Sequence, residues 1–479
     1  MTSHTGRETI LSRAREAQRK WRARSLRNRL RVIGRLRPHL AEQMDCIVEA
    51  VDRHKDRGPG ETLSAEVLPV LEACRYLQKR ARSILQTRRA ARYAFLSPFV
   101  GFRQHIRREP YGVILIIAPS NYPFMLPAVQ ALHALVAGNA AVVKPGMGGK
   151  EACRMLGQML EQSGLPPELY HVTSEQPQCG RDVLAQEPDK VVFTGSLRVG
   201  REILSGLGEQ VTPAVAELSG CDAVFVLEGA DLELVVRALQ FGLTLNNGAT
   251  CISPRRLFVT APGDNDLVER LRNAGPHFPR CHVPEGSGGA ARELIDEAIK
   301  DGASLLTPAL EPGQRCIPTL VNDASPDMRL LQEDIFAPVL SIVRVRNRRK
   351  ALQADARCPY ALGATVFGPE DRAHECAKRI NAGAVIVNDM IAPTADPRMP
   401  FGGRKKSGYG VTRGAEGLLE MTRPKAIAIS SSALKPHLDG TSEQVKEMLQ
   451  SYIRAAHGRG LRERLRNALD LLKKLIGSR

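Results

Sequence analysis

Glu109-Pro110-Tyr111-Gly112-Val113-Ile114-Leu115-Ile116-Ile117-Ala118-Pro119-Ser120-Asn121-Tyr122-Pro123 is the stretch from which the fold of this 479-residue chain can be read. The apolar run 113–118 reads as a buried strand, and it ends at an asparagine bracketed by prolines. From 110 to about 217, further apolar runs at 140–144, 169–173 and 190–193 alternate with helix-like segments. That is the βαβ pattern of a parallel sheet with helices on both faces. Beyond 220 the alternation repeats, with runs at 223–227, 256–260, 316–321, 339–344, 364–367 and 384–388. The sequence therefore predicts an α/β protein of two doubly wound domains, with a functional site between them. Residues 8–55 read as helix, and a second helix follows at about 61–88 after the breaker Gly58-Pro59-Gly60. Residues 92–109 read as extended hairpin and 422–432 as a strand-like tail.

Composition narrows the class. Hydrophobic content of 43% and charged content of 25% are those of a soluble globular protein. No apolar run approaches the length needed to cross a membrane. The N-terminal segment carries arginines but no apolar core, so no secretory leader is expected. Ten cysteines without a CxxC framework point to a reducing, cytoplasmic setting. Cys281 and His282 are adjacent, but two candidate ligands make no zinc site, and no metal is expected.

The net charge of +17 is unevenly placed. Residues 1–37, read as a basic N-terminal helix, hold twelve Lys/Arg against Glu8 and Glu16, a net +10. Residues 441–479, read as a basic amphipathic C-terminal helix, hold nine against four acidic residues, a net +5. The body, 38–440, is only +2. The N-terminal arginines read as the solvated face of a docking helix. In the C-terminal segment, Leu465, Ala468, Leu469, Leu472, Leu475 and Ile476 share one helical face, with Arg462, Arg466, Lys473 and Lys474 on the other. Docking on the protein itself, on a sister subunit, on a scaffold or on an anionic membrane all suit that pattern. Nucleic acid is disfavoured, because no aromatic residues are interleaved with the basic ones.

The chemistry centres on Leu245-Asn246-Asn247-Gly248-Ala249-Thr250-Cys251-Ile252-Ser253-Pro254-Arg255-Arg256. A cysteine after a Gly-containing turn can stand at the mouth of a cleft beside free backbone N–H groups, which favour a thiolate and can hold an oxyanion. Thirty-four residues upstream, Glu217 lies in Ala216-Glu217-Leu218-Ser219-Gly220. With Asn121, these supply thiol, carboxylate and amide at strand-to-loop junctions, a set suited to covalent catalysis.

These segments resemble the aldehyde dehydrogenase superfamily. So do Phe193-Thr194-Gly195-Ser196, Glu333-Asp334-Ile335-Phe336, Pro400-Phe401-Gly402-Gly403 and Lys406-Ser407-Gly408-Tyr409-Gly410, in the family's order over roughly residues 40–430. The resemblance implies that Cys251 attacks an aldehyde, that Asn121 and the Cys251 N–H hold the oxyanion, and that Glu217 activates the water that hydrolyses a thioester. It implies a Rossmann-like cofactor domain (38–91 and 110–219), a catalytic domain (220–421) and an oligomerisation arm (92–109 and 422–432), hence a homodimer or homotetramer. It places the cofactor at Ile117, Ala118, Pro119, Lys144, Phe193, Gly195, Ser196, Val199, Leu218, Asp334 and Phe336.

Several positions depart from the family pattern. Met147 stands where a glutamate often rejects a 2′-phosphate, so NAD or NADP is admissible. Asp334 replaces a longer glutamate, and Asn247, Ser219 and Ser120 replace Gln, Gly and Trp. Gly408-Tyr409-Gly410 follows no strand of a βαβ unit and is no dinucleotide fingerprint, and Gly148-Gly149-Lys150 is no P-loop. Two alternatives remain: a coenzyme A-acylating dehydrogenase or reductase, and an inactive relative acting as a membrane or scaffold binder. Glu217 argues against the first, and the retained Asn121, Glu217 and Cys251 against the second. Tyr122, Met125, the neighbours of Cys251 and the loop 389–399 are expected to line the substrate entrance.

Overall fold

The computed structural model describes residues 9–89, 102–260, 264–430, 438 and 443–477. Two compact units account for the chain: Met1–Leu85 with Glu109–Arg423, and Gln86–Arg108 with Pro424–Arg479.

The first unit holds two sheets. In the six-stranded sheet the order is Gly408–Tyr409, Ala214–Glu217, Lys190–Thr194, Val113–Ile117, Ala140–Lys144, Tyr170–Val172. All but Gly408–Tyr409 run parallel. Val113–Ile117 is central and wholly buried, as its unbroken apolar run requires. The strand order reverses between it and Lys190–Thr194, which opens a crevice at their carboxyl ends. In the seven-stranded sheet the order is Ser304–Leu305, Thr319–Asn322, Val339–Val345, Pro254–Thr260, Asp222–Val226, Gly363–Phe367, Ala384–Val387. Alternate residues of Asp222–Val226 feed two cores: Ala223 and Phe225 on one face, Val224 and Val226 on the other. Both faces are thus covered by helices, the doubly wound arrangement that the sequence predicts.

The helical N-terminus is three helices rather than one: Ile10–Ala23, Leu26–Glu42 and Met44–Asp52. The break at Arg24-Ser25 is a capping event, in which Ser25 Oγ accepts the Asn28 N–H and starts a new helix. The segment expected at 61–88 begins at Pro59, passes through a π-helical turn at Leu63–Val67 and ends at Leu85. The strand expected at 316–321 divides into Arg315–Cys316 and Thr319–Asn322. Pro318 between them lacks the N–H that a continuous ladder needs.

In the second unit, Arg88–Arg89, Phe102–Pro110 and Thr422–Ser430 form a three-stranded sheet. Residues 92–101 and 431–432 of the expected arm lie outside the described residues. The single C-terminal helix expected at 441–479 is instead a helical hairpin, Glu443–His457 and Leu461–Gly477. Gly460, at φ 88°, supplies the left-handed turn that reverses the chain.

Candidate active site

Strand register decides what meets here. The chain leaves the first sheet at Glu217 and joins the second at Asp222, whose register partner is Pro254. The loop carrying Cys251 enters the second sheet at that same Pro254. Two segments 34 residues apart are therefore brought side by side. The approach is close enough that a Cβ on Gly220 would stand 2.4 Å from the Cys251 carbonyl oxygen, so only glycine fits there.

Asn121 arrives from the crevice, on the loop after Val113–Ile117. Its Nδ2 donates to the Ala249 carbonyl at 3.0 Å, two residues before Cys251. Asn246 Nδ2 donates to the Asn121 carbonyl at 3.0 Å and to Ala249 O at 3.2 Å. Tyr122 Oη and Thr250 Oγ1 share a 2.7 Å hydrogen bond. The Cys251 loop itself is tightly wound, with Asn246, Asn247 and Gly248 all left-handed at φ 51°, 55° and 74°. Asn and Gly tolerate that region, which explains the Asn-Asn-Gly run. Asn247, one of the departures from the family pattern, turns away from Cys251. Its Nδ2 donates to Asp56 O and its Oδ1 accepts from His282 N–H, so it anchors the loop.

Glu217 is 2% exposed. Its Oε2 accepts from Thr412 Oγ1 at 3.2 Å, and its Oε1 is buried with no hydrogen-bond partner among the described residues. Burial raises its pKa, while Arg413 and the Thr412 hydroxyl pull the other way. The Lys406–Gly410 motif is the clamp on this segment: Leu218 N–H donates to Ser407 O, and Ser407 Oγ donates to Ser219 O at 2.7 Å. Gly408 pairs directly with Glu217, and a Cβ on it would collide with Ala216 O at 1.9 Å.

Cys251 is half-buried. Enclosure of its thiol raises its pKa well above the usual range, and the nearby carboxylates of Glu217, Asp222 and Asp334 raise it further against Arg413. The thiolate that the turn's N–H groups would favour is thus opposed first by burial and then by carboxylates drawn from separate segments. Asp222 is itself pushed up to about 7 by burial, although Gly363 N–H and Arg256 draw it down.

The predicted cofactor residues fall into one row. Ile117 is in register with Lys144 on one side and Phe193 on the other, and Thr194 with Glu217. Ala118, Pro119, Gly195, Ser196 and Leu218 thus line the carboxyl edge of the sheet. Ser196 caps the fourteen-residue helix Leu197–Gln210, its Oγ accepting the Val199 N–H at 3.4 Å. Gly195 and Gly200 let the helix start pack tightly on the sheet, since a Cβ on either would stand 2.7 Å from Phe193 or 2.6 Å from Leu218. A glycine-lined helix N-terminus is a site for a pyrophosphate, so these residues fit a dinucleotide. Lys144 lies half-buried near Glu175 and Cys179, with Met147 57% exposed beyond it. Asp334 and Phe336 come from the second sheet, on the loop before Val339–Val345. Burial raises the Asp334 pKa, while the Ser219 hydroxyl and Arg255 pull it down, so the electrostatics of the shorter side chain involve the segment after Glu217.

Sequence reading missed the groups that hold this geometry. Arg413, 7% exposed and left-handed at φ 62°, stacks on Phe401 at 4.4 Å and is the cation acting on both Glu217 and Cys251. Arg57 and Glu66 form an ion pair at 2.6 Å with side chains 1% and 0% exposed. Glu66 Oε2 accepts the Phe124 and Met125 N–H groups, and Arg57 Nη1 donates to Asn246 Oδ1 at 3.3 Å. This pair therefore holds both the Asn121 loop and the Cys251 loop, and no motif announces it. Substituting Arg57→Met leaves the Glu66 carboxylate buried without its cation. The expected cost is about 3–5 kcal/mol of stability, read by urea denaturation, with a parallel loss of turnover.

Of the residues expected at the entrance, Met125 and residues 395–398 line cavities on this face. A groove of about 820 Å³ lies between the helix Leu68–Leu85 and Ala395–Arg398. A narrower cavity shares Pro69, Ala395 and Pro397 with it and runs inward past Met125 and Val129 to Arg413. Tyr122 is not on its wall.

The sequence matches the Aldehyde dehydrogenase family over residues 3–427. It is 31% identical over 438 residues to 4,4'-diapolycopene aldehyde oxidase of Methylomonas sp, across 88% of this chain and 82% of that protein. It is 29% identical to succinate-semialdehyde dehydrogenase (NADP(+)) of Deinococcus radiodurans, across 89% and 91% of the two chains. Among solved structures, NADP-dependent glyceraldehyde-3-phosphate dehydrogenase from Bacillus halodurans, complexed with NADP, superposes with TM-score 0.80 at 28% identity, covering 88% and 90%. The NAD+ complex of aldehyde dehydrogenase from Bacillus cereus gives TM-score 0.81 at 22% identity over 89% of each chain, a likeness of fold.

Proposed function

The chain belongs to the aldehyde dehydrogenase family and is an NAD(P)-dependent aldehyde dehydrogenase, and on that premise we propose that Cys251, Glu217 and Asn121 carry the reaction. The observation that supports this most is the Glu217 carboxylate: buried, raised in pKa, unpartnered at Oε1 and acting electrostatically on the Cys251 thiol. Such a group is a base waiting for a proton.

The Cys251 thiol gives its proton to solvent and attacks the aldehyde carbon as a thiolate. The oxygen of the resulting thiohemiacetal takes hydrogen bonds from the Cys251 N–H and from the Asn121 amide, whose other N–H bond to Ala249 O fixes its orientation. The nicotinamide nucleotide, when bound, supplies the hydride acceptor. Ser196, Gly195 and the first turn of Leu197–Gln210 would hold its pyrophosphate, Lys144 its adenosine ribose and Asp334 its nicotinamide ribose. The thioester left on Cys251 is hydrolysed by a water whose proton Glu217 accepts, which releases the carboxylic acid. The groove between Leu68–Leu85 and Ala395–Arg398 is the side from which the aldehyde would approach.

Absorbance at 340 nm with short and long aliphatic aldehydes and each nucleotide tests the activity, and the preferred nucleotide reports what Met147 does. Absence of nucleotide reduction with every aldehyde, in the presence or absence of coenzyme A, would overturn the reading. Asn121→Ala is expected to lower kcat by ~10²–10³ with little change in nucleotide affinity, measured by steady-state kinetics and nucleotide titration. A homo-oligomer through the three-stranded sheet fits the half-exposed Ile106, Ile427 and Ile429. The free thiols at all ten cysteines suit a cytoplasmic setting.

A further inference from the structure

The two basic ends of the chain behave differently. The N-terminal helix Ile10–Ala23 buries Leu11, Ala14 and Trp21, and the Trp21 indole N–H donates to Leu135 O at 2.8 Å. Its arginines are the outer face of a docked helix, as the sequence predicts. Helix Leu461–Gly477 packs Asn467 and Leu471 against Glu443–His457, but leaves Leu461, Leu465, Leu469 and Leu472 exposed at 73%, 57%, 60% and 43%. At the helical repeat of 3.6 residues per turn, those four leucines fall within a sector of about 80°.

Charge is sorted around that stripe. Arg462, Lys473 and Arg466, all exposed, follow along one edge. The acidic residues Glu463 and Asp470 lie round the far side, where Asp470 is held by Ser451 and Lys474. An apolar ridge edged only by cations needs a cover that is apolar in depth and anionic at its rim. A second copy paired antiparallel about a two-fold axis would set Arg462, Arg466 and Lys473 against their own kind. The body of the chain, at +2 over 38–440, offers no anionic excess. Anionic lipid supplies both parts, acyl chains for the leucines and phosphates for the cations. No helix among the described residues is long and apolar enough to cross a membrane, so the geometry is that of a helix lying in the interface.

We propose that the exposed leucine stripe of Leu461–Gly477, with Arg462, Arg466 and Lys473 along its edge, is a docking surface for an anionic lipid bilayer. The assignment is independent of the catalytic reading. The test is flotation of the full-length protein with vesicles of equimolar phosphatidylcholine and phosphatidylglycerol, and with phosphatidylcholine alone. Binding is expected to the anionic vesicles only, and to fall as salt rises. The triple variant Arg462→Ser, Arg466→Ser, Lys473→Ser is expected to weaken partition about 100-fold, the product of three basic contacts. The double variant Leu465→Glu, Leu469→Glu is expected to abolish flotation while retaining full nucleotide reduction with a short soluble aldehyde, which shows that the protein remains folded. Failure of the unmodified protein to float with anionic vesicles overturns the proposal. So does equal binding to both vesicle types. A third overturning result is a leucine variant that still floats but sediments as a smaller species, because the cover is then a second copy.

Discussion

Cys251→Ala is expected to lower aldehyde-dependent nucleotide reduction by ~10⁴-fold or more, the scale on which an enzyme loses a covalent nucleophile. The loop around Cys251 is fixed by other groups: Asn246 and Asn121 on the Ala249 carbonyl, Tyr122 on Thr250, and Arg255 on Gly248 O at 2.7 Å. The thiol contributes none of these bonds, so the variant should unfold at the same urea concentration and bind nucleotide as before. A variant that keeps more than a small fraction of activity would remove Cys251 from the mechanism. The raised thiol pKa adds a second readout. Because burial and three neighbouring carboxylates hold the group protonated, its alkylation by iodoacetamide should be slow at neutral pH and accelerate steadily as pH rises.

Glu217→Gln separates the two halves of the reaction. The substitution keeps the shape and the Thr412 contact but removes the base, so deacylation is expected to slow by ~10²–10⁴. A rapid-mix experiment should show one equivalent of reduced nucleotide per site followed by a slow steady state. Single-phase turnover at the normal rate would exclude Glu217 as the base. The pH dependence follows from the direction of the shift. Burial raises the Glu217 pKa above its ordinary 4.5, so the carboxylate form is lost, and kcat with it, as pH falls through that raised value. The Gln variant should lose this acidic limb.

Stability moves the opposite way. A carboxylate raised in the folded state binds its proton more tightly there than when unfolded. It therefore favours folding fully below the unfolded pKa, and that contribution is lost as pH rises through the folded pKa. Above the folded pKa the half-partnered Glu217 carboxylate opposes folding, and there Glu217→Gln should unfold at equal or higher urea than the parent. Loss of activity with gain of stability marks a group kept for chemistry.

The sequence by itself determined the layers and supplied the candidates for the reacting groups. Unbroken apolar runs report strands covered on both faces, because burial on two sides removes every polar alternation. Asn-Asn-Gly before Cys251 reports a backbone that must go left-handed, and Lys406–Gly410 reports glycines packed against backbone. These are local demands, written where they act. What lay beyond local reading was which distant segments meet. Asn121 and Ala249 are 128 residues apart, and Arg57 and Asn246 are 189 apart. Arg413 and the Arg57–Glu66 pair carry no motif because their partners are chosen by strand order and helix placement. The state of Cys251 is the clearest case. Its turn argues for a thiolate, but burial, and after it Glu217, Asp222 and Asp334, raises the thiol pKa, and only the tertiary structure supplies both. Charge acts through space across segments, so the electrostatics of the site belong to the fold, whereas the motifs that propose its residues belong to the sequence.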